Sequence, residues 1–71
     1  MTAEENSWAV KIPPHLGRLV PLLADGLTNA EIAATLSLAH HTIEGYVAEL
    51  KLRVGARDRV ALVLACRACQ L

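Results

Sequence analysis

Along the middle of the chain, apolar residues recur at three- and four-residue intervals, the period that places them on one face of a helix. Ile32, Ala33 and Leu36 form one stripe, and Ile43, Val47, Leu50 and Val54 form a longer one from His40 onward. The pattern breaks between them over Ser37, Leu38 and Ala39, so a tight turn joins a short helix to a long one. Thr28, with Glu31 three residues later, makes a capping-box pattern that begins the short helix at Asn29. In that pattern a hydroxyl and a carboxylate satisfy the free amides at a helix start. Gly55 ends the long helix, since glycine best adopts the left-handed conformation that closes one.

Upstream, Ile12, Pro13 and Pro14 mark a boundary, because proline suits the first turn of a helix and restricts the residue before it. A first helix is predicted over 14–25, with Leu16, Leu19, Val20, Leu22 and Leu23 inward and Gly26 closing it. Pro21 conflicts with that span. Inside a helix it removes a hydrogen bond and clashes with the carbonyl of Gly17, at a cost of about 3 kcal/mol. The helix therefore either starts late, near Gly17, or kinks. Downstream, Asp58 is placed to cap a last helix over 59–69, which is apolar nearly all round and so calls for cover on more than one side. Residues 1–11 are mostly polar apart from Trp8, Ala9 and Val10 and read as an N-terminal arm, with Trp8 covering an edge of the core. Residues 12–71 form the helical domain.

A chain of 71 residues has room for one small domain, which at this size buries only about 60% of its unfolded surface. Hydrophobic residues make up 54% of it, yet no apolar run approaches the roughly 20 residues needed to cross a bilayer. The start of the chain lacks the basic and apolar regions of a secretory signal. A soluble cytoplasmic protein is expected, and two cysteines close together do not make a disulfide framework. Seven basic and seven acidic side chains cancel. Such neutrality is unusual for a free-standing nucleic-acid binder, whose affinity depends on neutralising phosphates.

The runs LLADGLTNAEIAATLSL and HTIEGYVAELKLRVGARDR resemble the LuxR (GerE) type of helix-turn-helix domain, whose pattern combines an LLAxGLSNKEIA stretch, a TVKxH stretch and a KLGVxxR stretch. Matching positions include Leu22, Leu23, Ala24, Gly26, Leu27, Asn29, Glu31, Ile32, Ala33, Leu36, Thr42, Val47, Gly55 and Arg59. The resemblance implies an all-α, four-helix domain without winged elements that binds duplex DNA to regulate transcription. It also implies that Asn29 and Thr42 hold the sugar-phosphate backbone. In the last helix it turns Leu62, Val63 and Cys66 to the core, which leaves Val60, Ala61, Leu64, Ala65 and Ala68 as a second apolar face. Another copy of the chain is the economical cover for that face, and these domains commonly dimerise through their last helix.

The chain also departs from the pattern. His15, Leu16, Gly17 and Arg18 stand where charge is common, Glu44 where a lysine is usual, Tyr46 where histidine is frequent, and Ala39 where a serine caps the second helix. A recognition helix reads base edges in the major groove, chiefly with Arg, Lys, Asn and Gln. Here the outward strip is His41, Gly45, Ala48 and Leu52, flanked by Thr42, Glu44, Glu49, Lys51 and Arg53. His40, His41, Glu44, Gly45 and Ala48 are placed nearest the bases. Lys51, Arg53, Arg57 and Arg59 gather positive charge at the helix end for phosphates, with pairing of Arg57 or Arg59 to Asp58 or Glu49 as the competing structural role. His40, His41 and Glu44 lie within one helical turn, but exposed neighbours of this kind rarely hold a metal, and none is expected. Cys66 and Cys69 form a CxxC that reads as thiols packed in a helix. No catalytic arrangement or phosphate loop is evident, and no cofactor is expected. The reading is a homodimeric, DNA-binding transcriptional regulator. The alternative is the same fold used as a protein-interaction module that binds a related regulator.

Overall fold

The computed structural model describes residues 12–69, which form α1 (Pro14–Gly17), α2 (Leu19–Ala24), α3 (Asn29–Leu36), α4 (His40–Val54) and α5 (Arg59–Cys69). No strand occurs among the described residues. The expected arm at 1–11, Trp8 included, lies outside them.

The single first helix predicted over 14–25 is two segments, so the domain has four helical units with the first of them divided. The break at Arg18 follows from Pro21, which has no N–H to offer the Gly17 carbonyl. With α2 beginning at Leu19, Pro21 sits in its first turn, where an amide would lack a helical partner anyway. Arg18 keeps right-handed helical angles (φ −64, ψ −25), so the ladder is interrupted without a reversal of the chain.

One closure ends α2, α3 and α4 alike. An amide beyond the helix reaches back five residues, from Leu27 to the Leu22 carbonyl (3.1 Å), Leu38 to Ala33 (2.9 Å) and Ala56 to Lys51 (2.9 Å). This is the Schellman arrangement, and it needs a left-handed residue at the turn. Gly26 (φ 83) and Gly55 (φ 74) supply it without strain, whereas after α3 the position is held by Ser37 (φ 57). The capping box at Thr28 is formed: the Glu31 amide donates to Thr28 Oγ1 (3.1 Å), and the Thr28 amide donates to Glu31 Oε1 (2.8 Å). Asp58 caps α5 by accepting from the Ala61 amide (2.8 Å).

The buried core is Leu16, Leu19, Val20, Leu23, Ile32, Ala33, Ile43, Val47, Leu50, Leu62 and Cys66, so every helix contributes. Its members on α3 and α4 are those the periodicity places inward, with Leu36 and Val54 half-buried against them. α5 packs chiefly on α2, while α3 and α4 pack on each other. This leaves one long face of α4 open. Val63, expected in the core, is instead half-buried on the rim of an outward groove shared with Arg59, Val60, Leu64 and Arg67. Helical geometry explains the difference: Leu62 and Cys66 lie a turn apart on one line, and Val63 falls about 100° round from Leu62.

Candidate nucleic-acid interface

The helix-turn-helix is α3, the turn at 37–39 and α4. Because Ile43, Val47 and Leu50 are buried, with Tyr46 and Val54 packed at their edge, the opposite face of α4 is turned outward. His40, His41, Glu44, Gly45, Ala48 and Leu52 are all exposed, Leu52 at 84%. A Cβ added to Gly45 would meet nothing within 4 Å. Much of the strip is thus small side chains and open backbone.

The start of α4 has no side-chain cap, in keeping with alanine at position 39. The Thr42 and Ile43 amides both donate to the Ala39 carbonyl (3.1 and 3.2 Å). The amides of His40 and His41 remain to face solvent, with the positive end of the helix dipole behind them. The start of α3 differs, because its carboxylate is already engaged. The Glu31 carboxyl is held below its ordinary value by the Thr28 amide and then the Thr28 hydroxyl, which both donate to its charged form.

The basic residues divide into two groups. Arg59 is a structural tie, with NH1 donating to Asn29 Oδ1 (2.7 Å) and NH2 to the Leu27 carbonyl (2.7 Å). It pairs with neither Asp58 nor Glu49. Asn29 is half-buried and keeps its side-chain N–H donors, which have no protein partner among the described residues. Arg53 is exposed but bonded to Glu49, through Nε (3.1 Å) and NH2 (3.0 Å). The exposed Arg57 and half-buried Lys51 form no ion pair among the described residues. Thr42 is half-buried.

Two of the acidic residues lie near imidazoles. His40 Nδ1 lies 3.6 Å from Glu44 Oε1, and His15 Nε2 lies 3.7 Å from Glu49 Oε1. His15 also rests against Tyr46, with ring centroids 4.9 Å apart, so Tyr46 is a half-buried residue at the core edge. Among the described residues no three His, Cys, Asp or Glu side chains converge as a metal site. No described helix is long and apolar enough to cross a membrane.

On α5, Val60 (70% exposed) and Leu64 (57%) project outward, while Ala61, Ala65 and Ala68 are half-buried on its flank. Val60 and Leu64, with Arg59, Val63 and Arg67, line a groove of about 270 Å³. Two ties escaped the sequence reading: Arg59 to Leu27 and Asn29, and Arg67 Nε to the Ala24 carbonyl (3.0 Å). Both cross long stretches of chain, and no local pattern signals them.

A helix-turn-helix whose second helix is buried on one side and open along the other is the form of a DNA-binding regulatory domain. Residues 20–66 match the model of the bacterial regulatory proteins of the luxR family, and the chain belongs to that family. It is also 30% identical over 60 residues to the probable transcriptional regulator ycf29 of Cyanophora paradoxa, a match covering 84% of this chain and 29% of that protein. The chain therefore spans less than a third of that relative's length. No solved structure gives a match of comparable strength.

Proposed function

We propose that this domain binds duplex DNA sequence-specifically as a homodimer and regulates transcription, with α4 in the major groove. The observation that carries the reading is the exposed face of α4, where small side chains and uncapped amides stand opposite a fully buried face. Asn29, Thr42, Lys51, Arg53 and Arg57 hold the sugar-phosphate backbone, which fixes register without reading sequence. His40, His41, Glu44, Gly45 and Ala48 approach the bases. Val60, Ala61, Leu64, Ala65 and Ala68 pair with the same surface of a second copy, because an apolar patch on a chain this small is most simply covered by itself. Such a protein works in the compartment that holds the DNA.

Fluorescence titration with duplex DNA at two salt concentrations tests this. Binding should weaken steeply with salt, and Lys51→Glu/Arg53→Glu should lower the log–log slope by roughly two, about one for each phosphate left without its cation. Absence of binding at low salt by folded protein refutes the DNA-binding role. Leu64→Glu should convert the dimer to monomer in sedimentation equilibrium; a wild-type monomer at all concentrations refutes the pairing.

A second reading is favoured by the charge of Glu44, by Arg53 bonded to Glu49 and by the exposure of Leu52, Val60 and Leu64. In it the fold captures a related regulator through its apolar surfaces. Such capture is insensitive to salt and is lost in Leu64→Glu.

A further inference from the structure

We infer that α4 reads a cytosine through Glu44, with a thymine at the neighbouring base pair under Ala48. This rests on the proposed docking of α4 in the major groove.

Glu44 is the fifth residue of α4, in the N-terminal part of the helix that meets base edges in helix-turn-helix complexes. It is exposed, and its near neighbours on the outward face are His41, Gly45 and Ala48. None of those three presents a planar hydrogen-bonding fork. The directional reading of this strip therefore falls to a carboxylate.

An ionised carboxylate only accepts hydrogen bonds. In the major groove, guanine presents two acceptors and thymine presents one. Adenine presents a donor beside the N7 acceptor, which opposes the second carboxylate oxygen. Cytosine offers its N4 amino group with no acceptor beside it, and is the base that suits Glu44. The geometry around the carboxylate supports this use. His40 Nδ1 stands 3.6 Å from Oε1, too far for a hydrogen bond, so no hydrogen bond among the described residues occupies the carboxylate. The bare backbone at Gly45 leaves room for the groove to close on the helix.

Ala48 follows one turn later, about 6 Å along the axis. A recognition helix lies across the groove rather than along the duplex axis, so residues one turn apart meet neighbouring base pairs. A methyl group there complements the thymine methyl rather than a hydrogen-bonding edge.

The test is selection of binding sites from a pool of random duplexes by the wild-type protein, followed by titration of the selected duplex with Glu44→Ala and Glu44→Gln. Glu44 is exposed and outside the core, and circular dichroism verifies that each variant folds. A fixed cytosine with a thymine at the adjacent pair is expected. Glu44→Ala should reduce discrimination at the cytosine about ten-fold or more while leaving other positions unchanged, and Glu44→Gln should move the preference to adenine. A site without a fixed cytosine, or a cytosine preference that survives in Glu44→Ala, overturns the inference and leaves DNA binding intact. If the wild type binds no duplex at low salt, the underlying reading fails and this assignment falls with it.

Discussion

Cys66 and Cys69 show how one helical turn separates two chemically identical side chains. Cys66 is buried beneath α5, and burial, with Cys69 beside it adding to the effect, pushes its thiol up from 9.0 to about 11. The raised value favours the folded state at all pH below 9, and that contribution is lost as pH rises through about 11. Near neutral pH, Cys66 has almost no thiolate and little access. Iodoacetamide at about pH 8 should therefore label the half-buried Cys69 well before Cys66, read by mass spectrometry of the intact protein and its peptides. Equal labelling would mean that α5 opens readily. The inward position of Cys66 was legible from the motif match, whereas the left-handed Ser37 was not. The break in periodicity marks where the chain turns but not which residue bears a conformation that costs most side chains about 1 kcal/mol or more.

At the level of elements, helix ends explain why some boundaries could be read from residue types alone. Thr28 with Glu31, Asp58, Gly26 and Gly55 are local signals whose partners lie within a few residues, so α3 and α5 begin, and α2 and α4 end, where these residues dictate. The divided first helix is different, because Pro21 announces a conflict without saying where the chain resolves it. Packing decides: a break at Arg18 keeps Leu16, Leu19, Val20 and Leu23 all in the core.

Two predictions belong here. The Glu31 carboxyl titrates below its ordinary 4.5 in the folded state, so its contribution is present above that value and lost as pH falls through the lowered one. The stability difference between wild type and Glu31→Gln should therefore shrink on acidification below pH 4.5 in urea titrations; a difference that does not depend on pH would assign the cap to its neutral hydrogen bonds. Gly45 lies exposed in the interior of α4, where alanine is favoured by about 1 kcal/mol. Gly45→Ala should raise the melting temperature by several degrees. It should also weaken duplex binding, because the added methyl stands where the groove closes. A gain in both would place the DNA elsewhere.

On the scale of the whole molecule, Arg59 is the tie between the last helix and the helix-turn-helix. Removing its two charge-assisted bonds by Arg59→Ala should cost about 2 kcal/mol and lower the melting temperature correspondingly. Lysine should restore only part of this, since one ammonium lacks the fork that spans Leu27 and Asn29. Full recovery in Arg59→Lys would show that charge alone matters. The candidate site was legible in the sequence as far as periodicity reaches, because burying Ile43, Val47 and Leu50 dictates which side chains face out. The state of the cations was not legible. Arg53 and Glu49 are one turn apart on α4, a spacing that permits their bond without showing that it forms, whereas the hold of Arg59 on Asn29 depends on distances that only the assembled helices set.

The two arginines of α5 also give the domain a mechanical character. Arg67 fastens one end of the helix to the last residue of α2, and Arg59 fastens the other to the loop that leads into Thr28 and α3. A sideways load on the outer face of α5 is carried through the Arg59 guanidinium to the first helix of the helix-turn-helix and through the Arg67 guanidinium to α2. The two faces of the domain turn together, as one rigid lever rather than as plates on a hinge.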